Sequence, residues 1–206
     1  MKGRAVNLNK DDYTVLQLDI IKELANVGGG NAATSISQLI SKRVDMTVPT
    51  IDVLNYNEIY EKIMPDDEMV NAVIMRMFGD AEGIFLFITT DDASIKLIDM
   101  MLPDDFKLTE EIGASAIKEL VNIIVTSYLN AISKMMSINL ISSVPSYTVD
   151  MFGAILSSAY MESEQYDENV MIIKNQFIYQ GDKIESALYF VPKPGVLSNL
   201  FKIIGV

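Results

Sequence analysis

Two sets of polar residues recur along the sequence at one spacing, and they carry the side chains best suited to chemistry. In each set three, two and 22 residues separate successive members; the sets are Asp19, Glu23, Asn26, Pro49 and Ser115, Glu119, Asn122, Pro145. An α-helix turns by about 100° per residue, so the first three members of each set share one stripe of a helix. A polar stripe is ordinarily the solvated side of an amphipathic helix. Its recurrence in register, with the same distance to a proline, favours a functional role.

The composition limits what chemistry these residues can perform. The chain contains no cysteine and no histidine, which excludes thiol nucleophiles, Ser-His-Asp triads and zinc held by Cys or His. Catalysis must therefore use carboxylates, amides, hydroxyls, Lys or Tyr, or a metal with oxygen ligands. Two Pro-Asp-Asp sequences, at 65–67 and 103–105, are more typical of turns than of a metal site.

Charge and hydropathy narrow the class of protein further. The chain carries 16 basic and 28 acidic residues, a net charge of −12, and half of it is hydrophobic. A negative field of this size disfavours nucleic-acid binding. No run of apolar residues approaches the length of a membrane span, and residues 1–10 lack the apolar core of a secretory signal. We expect a soluble, cytoplasmic protein that has no membrane partner.

The sequence repeats itself at an offset of 96 residues. Between residues 19 and 50, ten of 32 ungapped positions are identical to those 96 residues later, including Lys22-Glu23-Leu24 and Lys118-Glu119-Leu120. This similarity predicts a single domain, 1–206, made of two repeats at about 10–103 and 107–206.

Hydrophobic periodicity then predicts the elements that position the two stripes. Apolar residues at helical spacing predict a helix over 12–27, extending to 40 past three glycines, and a second helix over 110–136. Alternation predicts strands at 44–54, 71–77, 82–89, 138–149, 169–177 and 184–191. Shorter helices are predicted at 94–101, near 150–160 and at 195–204, and the acidic segments 58–68, 104–111 and 162–168 are predicted to be connectors.

These elements predict an α+β fold. Two long helices that carry the polar stripes pack on an antiparallel-rich β-sheet, and the duplication relates the halves by a pseudo-two-fold axis. Pro49 suits an edge or a bulge of its strand. Gly28-Gly29-Gly30 lacks the Lys-Ser/Thr of a phosphate-binding loop, so its place within a helix predicts close packing or a kink.

The spacing of both sets resembles the signature of the CheC/CheX/FliY phosphatases of bacterial chemotaxis. The flanking segment Asn26–Ala33 and the terminal Val191-Pro-Lys-Pro-Gly195 are also similar to CheC. The resemblance covers nearly the whole chain, and two intact sites resemble CheC more than the single-site CheX.

The second copy departs from the pattern next to its asparagine. The segment Ile123-Ile124-Val125-Thr126 replaces Val27-Gly28-Gly29-Gly30 of the first copy, and Val121 and Ala25 stand where glycine is common. We expect bulk beside Asn122 to hinder a partner's approach and make the two sites unequal.

The resemblance implies hydrolysis of the aspartyl phosphate on the response regulator CheY. In that role Asn26 and Asn122 hold the attacking water, while Glu23 and Glu119 pair with a lysine of the partner. Asp19 and Ser115 orient the glutamates or touch the partner, and Pro49 and Pro145 shape the strand beside the site. The chain itself then binds no cofactor, because CheY supplies Mg²⁺.

Two alternatives to an enzyme remain open. The first is a binding module that docks and inhibits the receptor deamidase CheD through a helix that bears Asp150. That segment, 147–156, is interpreted as an insertion with no counterpart in the first half. The other alternative is a non-catalytic scaffold resembling the flagellar switch.

Overall fold

A single antiparallel sheet organises the chain, with helices on both of its faces. The computed structural model describes residues 13–103, 108–164 and 169–205. Within them, six helices and eight strands follow one another in the order α1 (Val15–Ile40), β1 (Val44–Met46), β2 (Thr50–Asn55), α2 (Tyr56–Lys62), β3 (Met69–Gly79), β4 (Gly83–Thr89), α3 (Asp91–Met101), α4 (Glu110–Met136), β5 (Leu140–Ser142), β6 (Ser146–Met151), α5 (Phe152–Glu162), β7 (Asn169–Tyr179), β8 (Asp182–Pro192) and α6 (Val196–Ile204).

The sheet interleaves the two halves of the chain. Its order is β1-β7-β8-β4-β3-β5, with β2 also paired to β7 and β6 also paired to β3. Every pairing is antiparallel. The α+β class and the antiparallel sheet are therefore confirmed. The first-half strands β1 and β2 lie 96 residues before β5 and β6, whereas the two-fold relation of the halves in space stays a prediction.

Two hydrophobic clusters hold the layers together. The larger packs α1, α3, α4 and α6 on one face of the sheet, around Tyr128, Phe87 and Phe177. The smaller packs α2 and α5 on the other face, around Phe152 and Tyr189. The central strand β4 is buried along its whole length, since side chains of a strand alternate between the two faces and here both faces are covered.

Helix α4 has the composition of a core helix. Among the described residues it is the one helix long and apolar enough to cross a membrane, and 56% of its most apolar window is buried inside the fold. Packing against the sheet and against α1 accounts for its apolar character.

The predicted elements were mostly confirmed, with three differences. The strands predicted over 44–54 and 138–149 are each split, the first into β1 and β2 around Pro49 and the second into β5 and β6 around Pro145. Part of the predicted connector 58–68 is the helix α2, which buries Ile59 completely. The Pro-Asp-Asp at 65–67 lies in a turn, where the N–H of Glu68 donates to the carbonyl of Pro65 at 3.3 Å. Residues 104 and 105 of the second lie outside the described residues.

Candidate functional site

The first polar stripe lies on the exposed face of α1. The helix begins after Thr14, whose hydroxyl accepts the N–H of Gln17 at 3.2 Å while the Gln17 side chain accepts the N–H of Thr14 at 3.0 Å. Asp19, Glu23 and Asn26 are exposed. The residues between them that face the sheet, Ile21, Leu24 and Ala25, are buried. The helical spacing therefore aligns these three side chains as the sequence predicted.

Helix α4 presents the second stripe in the same way. Thr109 caps it, accepting the N–H of Ile112 at 3.3 Å. Ser115 and Glu119 are exposed and Asn122 is half-buried, while Ile117, Leu120 and Val121 are buried behind them. Both helices end at a serine with positive φ, Ser41 and Ser137.

The side chains of the two stripes are largely free of intramolecular partners. Asp19 forms an ion pair with Lys22, with 3.5 Å between Oδ1 and Nζ. Asp19 is thus engaged along the helix by a lysine rather than by Glu23. Within the described ranges, no hydrogen bond or ion pair is made by the side chains of Glu23, Asn26, Glu119 and Asn122. Exposed carboxylates and amides without internal partners are available to a docked molecule.

Each proline of the motif sits in a β-bulge. Met46 pairs with Phe177 and Thr50 pairs with Lys174, so residues 47–49 face only residues 175 and 176. On the other side of the sheet, residues 143–145 likewise face only residues 75 and 76. Proline lacks the N–H that a ladder position needs, and a bulge removes that need.

A hydroxyl closes each bulge in the same manner. The N–H of Thr47 donates to the carbonyl of Gln176 at 3.0 Å, and the Thr47 hydroxyl accepts the Gln176 N–H at 3.3 Å. Ser143 and Arg76 repeat this exchange at 2.8 and 2.9 Å. The prediction that Pro49 suits a bulge is confirmed.

Strand β1 runs back along α1 toward the first stripe. The Ser37 hydroxyl donates to the carbonyl of Val44 at 3.0 Å and accepts its N–H at 2.9 Å. Two residues later along the strand, the Met46 side chain lies over Gly29. The bulge at 47–49 therefore continues toward the turn of α1 that carries Asn26, and buried Pro49 contributes shape rather than a reactive group.

Gly28 and Gly29 of the glycine run serve the packing of α1. A Cβ on Gly29 would lie 2.6 Å from Cε of Met46, so the prediction of close packing is confirmed. In the second copy, Ile124 and Val125 are both buried. Ile123 beside Asn122 is half-buried and Thr126 is exposed, so the expectation that bulk next to Asn122 hinders a partner stays a prediction.

The segment around Asp150 also differs from its prediction. Asp150 lies on strand β6, where its Oδ1 accepts the N–H of Met151 at 2.8 Å, and the helix α5 begins only at Phe152. Nor is this segment an insertion, since α2 follows β2 in the first half as α5 follows β6 in the second. Helix α2 is short and polar, which concealed it from periodicity.

Clusters that could hold a metal were sought among His, Cys, Asp and Glu side chains. Across residues 13–103, 108–164 and 169–205, no three of them lie close enough to share one.

Comparison with known proteins bears on what these two stripes do. The model of the CheC-like family matches residues 16–52, a range that runs from the first stripe to Pro49. A relative from Bacillus subtilis, the CheY-P phosphatase CheC, is 30% identical over 197 residues, which cover 92% of this chain and 94% of the relative. The chain belongs to the CheC-like family.

Two further proteins are similar to this chain, one in sequence and one in fold. The flagellar motor switch phosphatase FliY of Bacillus subtilis is 25% identical over 183 residues, which cover 86% of this chain and 46% of FliY. The crystal structure of Thermotoga maritima FliY matches the fold with a TM-score of 0.73 at 19% identity, over 93% of this chain and 96% of that one. The second stripe lies outside the range that the CheC-like model matches. It is assigned from the internal similarity of the sequence to the first stripe.

Proposed function

We propose that this protein hydrolyses the aspartyl phosphate of phosphorylated CheY in the cytoplasm and so ends the chemotactic signal. The observation that carries the proposal is the pair of Glu-Asn stripes on the surfaces of α1 and α4, whose four side chains make no hydrogen bond or ion pair among the residues that the structure describes. Relatives named as phosphatases of CheY-P and of the flagellar switch support it.

The reaction suits a site built from an amide and a carboxylate. An acyl phosphate is already activated, so catalysis consists chiefly of placing a water in line with phosphorus. The side-chain amide of Asn26 or Asn122 offers one donor group and one acceptor to such a water. Because the amide is neutral, it adds no negative charge beside the phosphoryl group.

The glutamates serve docking in this proposal. Glu23 and Glu119 lie about one helical turn before the asparagines, and each carboxylate is exposed. A charge-assisted hydrogen bond from a lysine of CheY to this carboxylate would anchor the complex. The Mg²⁺ of the reaction is placed on CheY, and Asp19 and Ser115 support the stripes from the preceding turn.

The decay of ³²P-labelled phospho-CheY tests the proposal. We expect wild-type protein to accelerate the decay and the double variant Asn26→Ala, Asn122→Ala to lose activity by about 10²-fold or more. The matched controls are Asn31→Ala and Asn130→Ala, which remove exposed amides from the same two helices outside the stripes. A double variant that keeps the wild-type rate would overturn the proposal.

A second role, binding of the deamidase CheD, is supported by the surface around Asp150. Its neighbours Val149 and Met151 are 50% and 46% exposed, so β6 presents an exposed carboxylate on one face of the strand and two exposed apolar residues on the other. We expect Asp150→Lys to weaken CheD binding and to spare phosphatase turnover. Asp99→Lys, an exposed charge reversal on α3, is the control, and equal effects of the two variants would speak against this surface.

A further inference from the structure

A pocket of about 620 Å³ lies on the side of the sheet that α2 and α5 cover. Its walls come from the end of α2, the bulge that follows β1, the start of α3 and strands β4, β7 and β8. Lys62 stands at its rim, where its Nζ lies 2.5 Å from Oε1 of Glu58. The volume is typical of sites that bind small molecules. We call it the α2 pocket, and it shares no residue with the two stripes.

The strand registers show which residues occupy the same place in the second half of the chain. Thr50 and Ser146 lie 96 residues apart, and they pair with Lys174 and Ile74 respectively. The pairings of β7 with β8 and of β3 with β4 extend this correspondence across the sheet. It matches four residues of the α2 pocket with four residues of the other half: Lys174 with Ile74, Gln176 with Arg76, Glu185 with Ile84 and Ala187 with Leu86.

In the second half these positions form a covered and mostly apolar surface. Ile84 and Leu86 are buried in the smaller hydrophobic cluster, to which α5 contributes. Helix α5 has 11 residues where α2 has seven. Its last residue, Glu162, accepts a hydrogen bond from Nη2 of Arg76 at 2.9 Å. The last turn of α5 therefore closes the place that stays open beyond the end of α2.

The open place in the first half is more than a sheet face exposed to water. A merely solvated face needs polar residues throughout, and the α2 pocket has them on one side only. On the other side Ala187 stands where the second half has leucine, and it pairs with buried Ile88. Half-buried Met64 lines the same side. The α2 pocket thus joins an apolar half to a polar half, as small-molecule sites do.

Two side chains of opposite charge stand in the polar half. Lys174 pairs with Ala187, two residues after Glu185, so the two charged side chains occupy diagonal positions on one face of the sheet. Nζ of Lys174 lies 2.9 Å from Oδ2 of Asp52, and Nε2 of Gln176 donates to Oε1 of Glu185 at 3.2 Å. An ammonium has three N–H groups and a carboxylate about four acceptor positions. Both groups therefore keep capacity for a ligand.

We propose that the α2 pocket binds a free α-amino acid with an apolar side chain. The carboxylate of the ligand accepts from Lys174, its ammonium donates to Glu185, and its side chain lies on Ala187 between Ile88 and Met64. A ligand with a single charge would use only one of the two charged groups. A zwitterion uses both and, having no net charge, is not repelled by a protein of net charge −12. This binding is independent of the proposed phosphatase function.

Methionine methyl groups give a local readout of binding. The full chain, labelled with [methyl-¹³C]methionine, is titrated with L-leucine, and the methyl signal of Met64 is assigned with a Met64→Leu variant and followed by NMR. We expect this signal to shift and to saturate with a dissociation constant of about 1 mM or below. The signal of Met161, an exposed methionine on α5, is the internal control and should not move.

Two analogues of leucine test the charge pattern. N-acetyl-L-leucine lacks the ammonium and L-leucine methyl ester lacks the carboxylate. Each should bind about tenfold more weakly than leucine, because one charged group of the pocket then loses its partner. Analogues that bind as tightly as leucine would overturn the assignment of an amino acid.

Two variants test the location. Ala187→Leu places in the pocket the residue that the other half has at this position, and it should abolish the saturable shift of the Met64 signal while the melting temperature is kept. Glu185→Gln preserves the shape of the side chain and removes the charge that meets the ammonium, so leucine should bind about tenfold more weakly. Asp182→Asn, an exposed acid on the same strand outside the pocket, is the control and should leave binding unchanged.

The outcomes separate as follows. A Met64 signal that does not move at leucine concentrations about twentyfold above the expected dissociation constant overturns the proposal. Binding that survives unchanged in Glu185→Gln protein, or in folded Ala187→Leu protein, overturns it as well. If Ala187→Leu protein does not fold, Glu185→Gln and the two analogues decide, since neither changes the packing of the pocket.

Discussion

The ring of Tyr128 on α4 lies directly against the backbone of Gly28 on α1. A Cβ on Gly28 would stand 2.7 Å from Cδ1 and 3.0 Å from Cα of Tyr128, and Tyr128 is 2% exposed. The residue 96 positions before Tyr128 is Ala32, and the one 96 positions after Gly28 is Ile124. Small and large residues thus exchange places between the two helices at these positions, which explains why Gly28 has no glycine counterpart in α4.

Gly28→Ala should destabilise the protein. The added methyl meets both the ring and the backbone of Tyr128, so the helices that carry the two stripes must move apart, at a cost of about 1–3 kcal/mol in the free energy of unfolding. Urea denaturation followed by circular dichroism measures this loss. Gly30→Ala is the matched control and should be more stable than wild type by up to about 1 kcal/mol; equal losses at the two glycines would refute the packing argument.

Ala25→Val should stabilise the protein. Ala25 lines an apolar cavity of about 60 Å³ beneath the first stripe, together with Leu24 and Phe201, and the residue 96 positions later is the fully buried Val121. Two added methyl groups in this space should raise the free energy of unfolding by about 0.5–1.5 kcal/mol. The reverse change, Val121→Ala, should lower it by about 1–3 kcal/mol. A less stable Ala25→Val protein would show that the cavity walls cannot accept the volume.

Stability should fall at alkaline pH because of Tyr189. Burial raises the pKa of its phenol well above the ordinary value of 10.0. Below pH 10 the phenol is neutral in both the folded and the unfolded protein, so it does not lower the free energy of unfolding. Above it the unfolded chain loses the proton first, so the free energy of unfolding falls by about 1.4 kcal/mol per pH unit. Tyr189→Phe should make the decline between pH 10 and 11 shallower in urea titrations; an unaltered slope would assign the decline to other groups.

Glu23→Gln should impair docking more than chemistry. In Asn122→Ala protein the change removes the charge that pairs with the lysine of CheY and keeps the shape of the side chain, so KM should rise by about three- to tenfold with kcat nearly unchanged. Asn26→Ala should instead lower kcat. Steady-state kinetics with labelled phospho-CheY distinguish the two, and a Glu23→Gln variant that loses mainly kcat would assign the carboxylate to the chemical step.

Helix faces and strand pairs were predictable because they depend on local periodicity. The predicted helix over 110–136 matches α4 at both ends, and the first helix continues through Gly28 as expected. Between β3 and β4, Gly79 adopts φ +113°, a conformation that favours glycine and therefore marks the turn. Helix α2 was missed because it has only seven residues, too few for a helical pattern to emerge around its buried Ile59.

The composition of the two stripes could be read from the sequence, but their surroundings could not. Whether Gly30 is covered or open depends on how β1 returns along α1, which is fixed by tertiary contacts such as Ser37 with Val44. In the same way Asp150 was assigned to a helix because the next residues are helical, whereas pairing of Asp150 with Val70 draws it into the sheet.

Because the sheet interleaves the two halves of the chain, each half depends on the other to complete its strand pairing. Strand β2 pairs with β7 and strand β6 with β3, so each half supplies the outer strands that complete the other. If the chain were cut between α3 and α4, each fragment would expose unpaired strand edges and half of the hydrophobic core. Each fragment would then present the surfaces that the other lacks. Strand β2 cannot pair with β7 until residue 169 and those after it have been synthesised. Completion of the sheet is therefore a late event in folding.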